Sequence, residues 1–83
     1  MKTVDVRFVK ESDRKKQQAQ EEMMHKLSSR LADRIAEKFN DVRVRVRFSS
    51  SSGLDVSGFR DEEKKRFMAH LEEIWDDPFL LDD

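Results

Sequence analysis

The sequence predicts a two-layer α+β domain in which two helices pack on one face of a three-stranded sheet. Three short segments alternate apolar and polar residues with a period of two, which is typical of half-buried strands. Two longer segments repeat apolar residues every three or four positions, which is typical of amphipathic helices. These segments follow one another as β-α-β-β-α within 83 residues, a length that fits a single domain over residues 1–83.

The first strand, β1, is predicted over about residues 3–10. Its core side consists of Val4, Val6 and Phe8. A long helix, α1, is predicted from Ser12 or Asp13 to about Phe39, because apolar residues recur there at helical spacing. This apolar stripe consists of Met23, Leu27, Leu31, Ile35 and Phe39. Asn40 and Asp41 tolerate turn conformations and are expected to stop the helix.

The second strand, β2, has the most regular pattern in the chain. Over residues 42–48, apolar residues alternate with Arg43, Arg45 and Arg47. A serine-rich turn follows, and Leu54 and Val56 then predict a short strand, β3. The short connection favours a hairpin of β2 with β3, whereas the β1-α1-β2 unit favours a right-handed crossover. Both helices then cover one sheet face, and the arginines lie on the other.

The last helix, α2, is predicted from its N-cap at Asp61 to near Asp76, because Pro78 disfavours helical geometry in the residue before it. Its apolar face consists of Phe67, Leu71, Ile74 and Trp75, with Met68 beside them. After the helix, the run Phe79-Leu80-Leu81 has three possible roles. It could pack under the sheet, meet a partner or join two copies.

Several classes of chemistry are excluded or made improbable by composition. The chain has no cysteine, so it has no disulfide, thiolate metal site or cysteine nucleophile. Its two glycines do not form a phosphate-binding loop, and His25 and His70 are expected to be ordinary helix-surface residues. We therefore expect no enzyme activity, no cofactor and no metal. No apolar run is long enough to cross a membrane, and residues 1–10 alternate charged and apolar residues and lack a signal-peptide core, so a cytoplasmic location is expected.

Charge is distributed unevenly along the chain, although the net charge is −1. Residues 1–60 carry 14 basic and 9 acidic residues, whereas residues 61–83 carry 3 basic and 9 acidic residues. Exposed carboxylates at a helix C-terminus are disfavoured by about 0.3–1 kcal/mol each, so their accumulation there indicates function. We interpret them as an outward, unpaired surface that docks on a basic site; a solubilising tail is the alternative. The residues are Glu72, Glu73, Asp76 and Asp77.

Two basic sets permit a nucleic-acid interpretation. One is the row of arginines on β2, and the other recurs every four residues along α1. The second set consists of Lys26, Arg30, Arg34 and Lys38. Like charges at this spacing repel by about 0.2–0.5 kcal/mol per pair, and phosphate contacts would explain why the chain tolerates them. The alternatives are a solvated face, or pairing of one of these arginines with Asp5 across the strands.

Four motifs occur in a fixed order along the second half of the chain. They are V-R-V-R-F in β2, L-D-V-S-G over residues 54–58, E-E-K-K-R over residues 62–66 and L-E-E-I-W-D-D over residues 71–77. Together they resemble the DinI-like family of bacterial DNA-damage-inducible proteins. The resemblance implies the β-α-β-β-α fold and a regulator of the SOS response. Such a regulator binds RecA filaments on single-stranded DNA and modulates filament stability and the RecA-stimulated self-cleavage of client proteins.

The resemblance also assigns roles within α2. The acidic contacts with RecA would be Glu72, Glu73, Asp76 and Asp77, and Trp75 would anchor the helix in the core. Two departures concern the ends of this helix: Arg60 stands where a hydroxyl cap is often found, and Pro78 interrupts the acidic end. We expect a monomer. Two other functions stay open: a small nucleic-acid-binding module that uses Arg43, Arg45 and Arg47, and a phage-type antirepressor that binds a repressor protein.

Overall fold

A computed structural model describes residues 1–82 and places the elements in the predicted order. The strands are β1 (Lys2–Val9), β2 (Val42–Ser49) and β3 (Gly53–Ser57), and the helices are α1 (Arg14–Ala36) and α2 (Asp61–Trp75). Buried side chains of both helices and of β1 form one cluster, so the two helices share one face of the sheet. The predicted two-layer α+β fold is confirmed. The predicted acidic tail extends to residue 83, which lies outside the described residues.

The strand order is β2-β1-β3, so the predicted β2–β3 hairpin is wrong. Strand β1 pairs in parallel with β2 and antiparallel with β3. Residues 50–52 carry the chain across the end of β1, from Ser49 opposite Val9 to Gly53 opposite Arg7. Two strand spacings span about 10 Å, and four residue steps of about 3.3 Å each are long enough to cover that distance.

Ion pairs link β1 to both of its neighbours on the open sheet face, the side away from the helices. The Arg47 guanidinium donates to the Asp5 carboxylate over 3.0 Å, and Arg7 pairs with Asp55 over 2.9 Å. Both pairs run diagonally between strands, since the register places Arg7 opposite Arg47 and Asp5 opposite Asp55. Strand β1 thus supplies an aspartate to an arginine of β2 and an arginine to the aspartate of β3.

The core lies between the sheet and the two helices, with Phe67 at its centre. The buried cluster consists of Val4, Val6, Leu27, Leu31, Ile35, Phe67, Leu71, Ile74 and Leu80. The Phe67 ring is fully buried, stacks on Phe59 at 4.3 Å and meets Phe39 edge-on at 5.1 Å between ring centroids. Phe39 reaches the core from beyond the end of α1, which stops three residues earlier than predicted.

Helix α1 has a side-chain cap at its start, whereas α2 does not have the cap that was predicted for it. The Asp13 carboxylate accepts a hydrogen bond from the Lys15 amide over 2.8 Å and caps α1. The N-cap of α2 is Arg60, whose side chain makes no capping hydrogen bond, so the predicted cap at Asp61 is wrong. The reason is that the Arg60 carbonyl already accepts from the Lys64 amide over 2.7 Å, which places Asp61 inside the first turn.

Gly58 fixes the way in which the chain leaves β3. Its φ of 84° lies in the left-handed region, where glycine is favoured. A side chain at this position would also collide with the backbone of Met1 and Lys2. The glycine of the L-D-V-S-G motif therefore allows the β3–α2 connection to pass close to the start of β1.

Candidate functional site

Three exposed carboxylates lie at the C-terminal end of α2. We call Glu72, Glu73 and Asp76 the carboxylate cluster. Within residues 1–82, Glu72 and Asp76 make no side-chain hydrogen bond or ion pair. The side chain of Glu73 is 70% exposed, and its nearest oxygen lies 3.9 Å from Nδ1 of His70. The charges of the cluster are therefore open to a partner.

The end of α2 adds to the negative potential of the cluster. Its last turn contains no basic residue, and its C-cap is Asp76. The carbonyls at a helix C-terminus carry partial negative charge, which the cluster reinforces rather than offsets. A surface with one sign of charge attracts ligands of the opposite sign and raises their rate of encounter. This arrangement is suited to binding cationic groups.

Asp77 differs from the other three acidic residues because its charge is used inside the protein. Its carboxylate accepts from the Phe79 amide over 2.9 Å and from the Arg34 guanidinium over 2.7 Å. Both hydrogen bonds hold the pKa of Asp77 below its usual value, and the bond from the Phe79 amide has the larger effect. The expectation that all four carboxylates are outward and unpaired is therefore wrong for Asp77. This residue instead fixes the turn by which the chain leaves α2.

The arginines of the basic row on α1 hold the C-terminal segment in place. Arg34 pairs with Asp77 and also with Glu37, over 3.1 Å. Arg30 donates to the carbonyls of Leu80 over 3.1 Å and Asp82 over 2.6 Å. The repulsion between these cations is thus offset by contacts within the chain, and phosphate binding is not needed to explain it.

The run Phe79-Leu80-Leu81 is divided between the core and the surface. Leu80 is 9% exposed and joins the buried cluster, and Leu81 packs against that cluster. Phe79 is 69% exposed. Of the three roles considered for this run, packing against the body of the domain is the one that Leu80 performs.

The two histidines occupy different environments. His25 is exposed, as expected, but His70 is only 7% exposed, so the expectation of a surface position is wrong for it. Its Nε2 lies 3.1 Å from the carbonyl oxygen of Arg34, which ties α2 to α1, and its ring lies beside Phe39. Among residues 1–82, no group of three or more His, Cys, Asp or Glu residues could hold a metal ion.

Trp75 is exposed, and sequence reasoning missed this. Its exposed fraction is 48%, so the assignment of Trp75 to the core is wrong. Trp75 lies in a depression that we call the Trp75 groove. The groove is lined by Leu54, Met68, Leu71, Glu72, Trp75 and Asp76. The spacing of the apolar residues in α2 could have predicted this exposure. Met68 and Trp75 are seven residues apart, so they share a stripe that lies beside Glu72 rather than on the Phe67 face.

The arginine row of β2 is only partly open to solvent. Arg43 and Arg45 are exposed, whereas Arg47 is paired with Asp5, as one interpretation of the sequence predicted. This hydrogen-bonded pair raises the pKa of Arg47 and lowers that of Asp5. The open sheet face therefore carries both signs of charge, with Asp55 as a second acid.

Acid is expected to loosen the C-terminal segment. The pKa of Asp77 in the folded protein lies below the ordinary value of 3.8, so folding favours its ionised form. The stability that this carboxylate contributes is therefore fully present above the pKa that Asp77 has in the unfolded chain. It is lost as the pH falls through the lower pKa that Asp77 has in the folded protein. Amide hydrogen exchange of Leu80 and Asp82 should speed up relative to that of β1 between about pH 6 and about pH 3. An Asp77→Asn variant should show a much smaller pH effect; equal protection of the wild-type segment at both pH values would contradict this role.

Comparison with known proteins relates the chain to a protein family. The model of the DinI-like family matches residues 20–78, from the first half of α1 through the end of α2. No curated protein and no solved structure matches the chain. Within residues 1–82, no helix is long and apolar enough to span a membrane.

Proposed function

Because the chain belongs to the DinI-like family of small DNA-damage-related proteins, we propose that it regulates the SOS response by binding RecA filaments on single-stranded DNA. The carboxylate cluster of Glu72, Glu73 and Asp76 is the proposed contact surface. The single observation that supports this surface most strongly is that the three carboxylates are exposed at a helix end without a basic residue in its last turn.

The proposed mechanism is charge complementarity. The carboxylates meet lysine and arginine side chains of RecA that otherwise face DNA or client proteins. Complementarity of this kind mainly sets the rate of encounter and the choice of partner. Occupying those basic sites would change the stability of the filament and its ability to stimulate self-cleavage of client proteins. In this proposal the protein acts as a monomer in the cytoplasm and catalyses no reaction.

Asp77 has a positioning role in this proposal. Its carboxylate is engaged with Arg34 and the Phe79 amide, so little of its charge is offered to a partner. By fixing the turn after Asp76, it holds the end of α2 against α1 and keeps the carboxylate cluster in a defined orientation. The footprint predicted from the sequence thus becomes three contact residues and one positioning residue.

A nucleic-acid-binding module is the alternative function. Its support is that Arg43 and Arg45 are exposed on the open sheet face. Against it, Arg47 and Arg7 are paired with aspartates, and those carboxylates would repel phosphates at the same surface. An antirepressor that binds a repressor protein directly is a further alternative, since it could use the same carboxylate cluster.

Three measurements together test these functions. In co-sedimentation, the protein should be retained by RecA filaments at low salt and released as the salt concentration rises. In a gel-shift without RecA, it should not retain labelled single-stranded DNA. In a RecA-dependent repressor-cleavage assay, it should change the cleavage rate only when the filament is present. Absence from the filament pellet at low salt would refute the proposed function, and retention of DNA alone would favour the nucleic-acid-binding module.

A further inference from the structure

The Trp75 groove is an apolar surface beside the carboxylate cluster. It lies between α2 and β3, which is an edge strand of the sheet. Three of its side chains are large, apolar and well exposed: Leu54 at 42%, Met68 at 38% and Trp75 at 48%. Exposed apolar surface rimmed by polar groups is typical of interaction sites, and Trp and Met are enriched at them.

The position of the groove explains why the domain itself does not cover it. The core side of α2 is already occupied by Phe67, Leu71 and Ile74, which are buried. Met68 and Trp75 lie on the flank of the helix toward the edge of the sheet, where β3 is the last strand in the described part of the chain. A three-stranded sheet is too narrow to bury this stripe, so it stays available to a partner.

The rim of the groove selects the chemistry of its occupant. Glu72 and Asp76, two members of the carboxylate cluster, also line the groove. An apolar side chain that enters the groove therefore brings the groups next to it within reach of two exposed carboxylates that have no ion-pair partner among residues 1–82. A lysine or arginine beside that apolar side chain would pair with them, and a guanidinium could also stack on the Trp75 ring.

We propose that the Trp75 groove receives an apolar side chain of a protein segment whose neighbouring lysine or arginine pairs with Glu72 and Asp76. The groove has a volume of about 310 Å³, near the lower end of the range of about 300–1,000 Å³ for small-molecule pockets. It thus suits one or two side chains of a docked segment. This inference rests on the proposed function, because that segment is assigned to RecA, and it makes Trp75 a specificity-determining contact rather than a core residue.

Oxidative footprinting of the intact protein tests occupancy of the groove. RecA filaments on single-stranded DNA are the probe, and mass spectrometry measures the oxidation of each side chain with and without them. Oxidation of Met68 and Trp75 should fall severalfold in the filament. Met1 is 89% exposed and lies near Gly58, before the start of α2 rather than at its Trp75 end, so it should react as before. Unchanged oxidation of Met68 and Trp75 in a filament-bound protein would overturn the proposal. Protection that appears without filaments as the protein concentration rises would also overturn it, since a second copy would then occupy the groove.

Affinity measurements separate this inference from the proposed function. A Leu54→Ser/Met68→Ser variant should bind filaments about five- to tenfold more weakly at every salt concentration, because the lost contact is apolar. Its matched control is Val9→Ser, which removes an apolar side chain that is 51% exposed on β1. Circular dichroism checks that both variants are folded. If the double variant binds with wild-type affinity, docking in the groove is contradicted while the proposed role of the carboxylate cluster stands. If the wild type does not bind filaments, both proposals are contradicted.

Discussion

The variant Glu72→Gln/Glu73→Gln/Asp76→Asn is expected to bind RecA filaments about tenfold to a hundredfold more weakly than the wild type at low salt. Each substitution removes one negative charge and keeps nearly the same shape, so only the electrostatic part of binding changes. These side chains are exposed at the end of a helix without a compensating base in its last turn. Their loss should leave the fold intact or slightly more stable, because carboxylates there oppose the helix dipole.

The salt dependence of this variant is the most informative measurement. Wild-type binding should weaken steeply with salt, and the two affinities should converge when the charges are screened. The matched control is Glu21→Gln/Glu22→Gln/Asp33→Asn, which removes the same number of exposed negative charges from α1. This control should bind filaments like the wild type. Equal weakening by both triple variants would mean that net charge, rather than the carboxylate cluster, governs binding.

Replacing Phe67 by alanine is expected to lower the free energy of unfolding by about 3–5 kcal/mol. The Phe67 ring is fully buried and contacts the rings of Phe39 and Phe59. Phe39 lies in the connection between α1 and β2, and Phe59 lies in the connection between β3 and α2. Its removal would leave a cavity where β1, α1 and α2 meet. A domain of this size has a total stability of about 4–12 kcal/mol, so the variant should lose much of it. Urea unfolding followed by circular dichroism measures the change.

Phe79→Ala is the matched control for this substitution. It removes the same side chain from a position that is 69% exposed. Its effect should stay within about 0.5 kcal/mol, as for surface positions that lack a special contact. If both substitutions cost the same, Phe67 would not hold the central position in the core that its burial indicates.

Periodicity in the sequence correctly predicted the strands and helices, because each half-buried element must place apolar residues toward a single core. The alternation of valine and arginine in β2 and the four-residue recurrence in α1 are local patterns of this kind. The cap at Asp13 was also predictable, since it depends on a side chain two residues from its target. The strand order was not predictable in this way, because the pairing of β3 with β1 rather than with β2 depends on contacts between residues distant in sequence.

The identity of the exposed acidic residues was predictable only in part. Helical spacing placed Glu72, Glu73 and Asp76 away from the core, as they are found. It could not show that Arg34, far away in sequence, reaches Asp77 and removes it from the group. The same limitation applies to Trp75, whose apolar character suggested burial although no element within residues 1–82 extends far enough to cover it.

The amino-acid sequence by itself determined which segments become strands and helices, which side of each is apolar, and where negative charge accumulates, since these properties depend on neighbours a few positions apart. The tertiary structure alone decided that β1 lies in the middle of the sheet, that Arg30 and Arg34 hold the C-terminal segment, and that Trp75 remains exposed beside two exposed carboxylates. The physical reason is that these features depend on which distant side chains the fold brings within a few ångströms, and on where a narrow sheet ends.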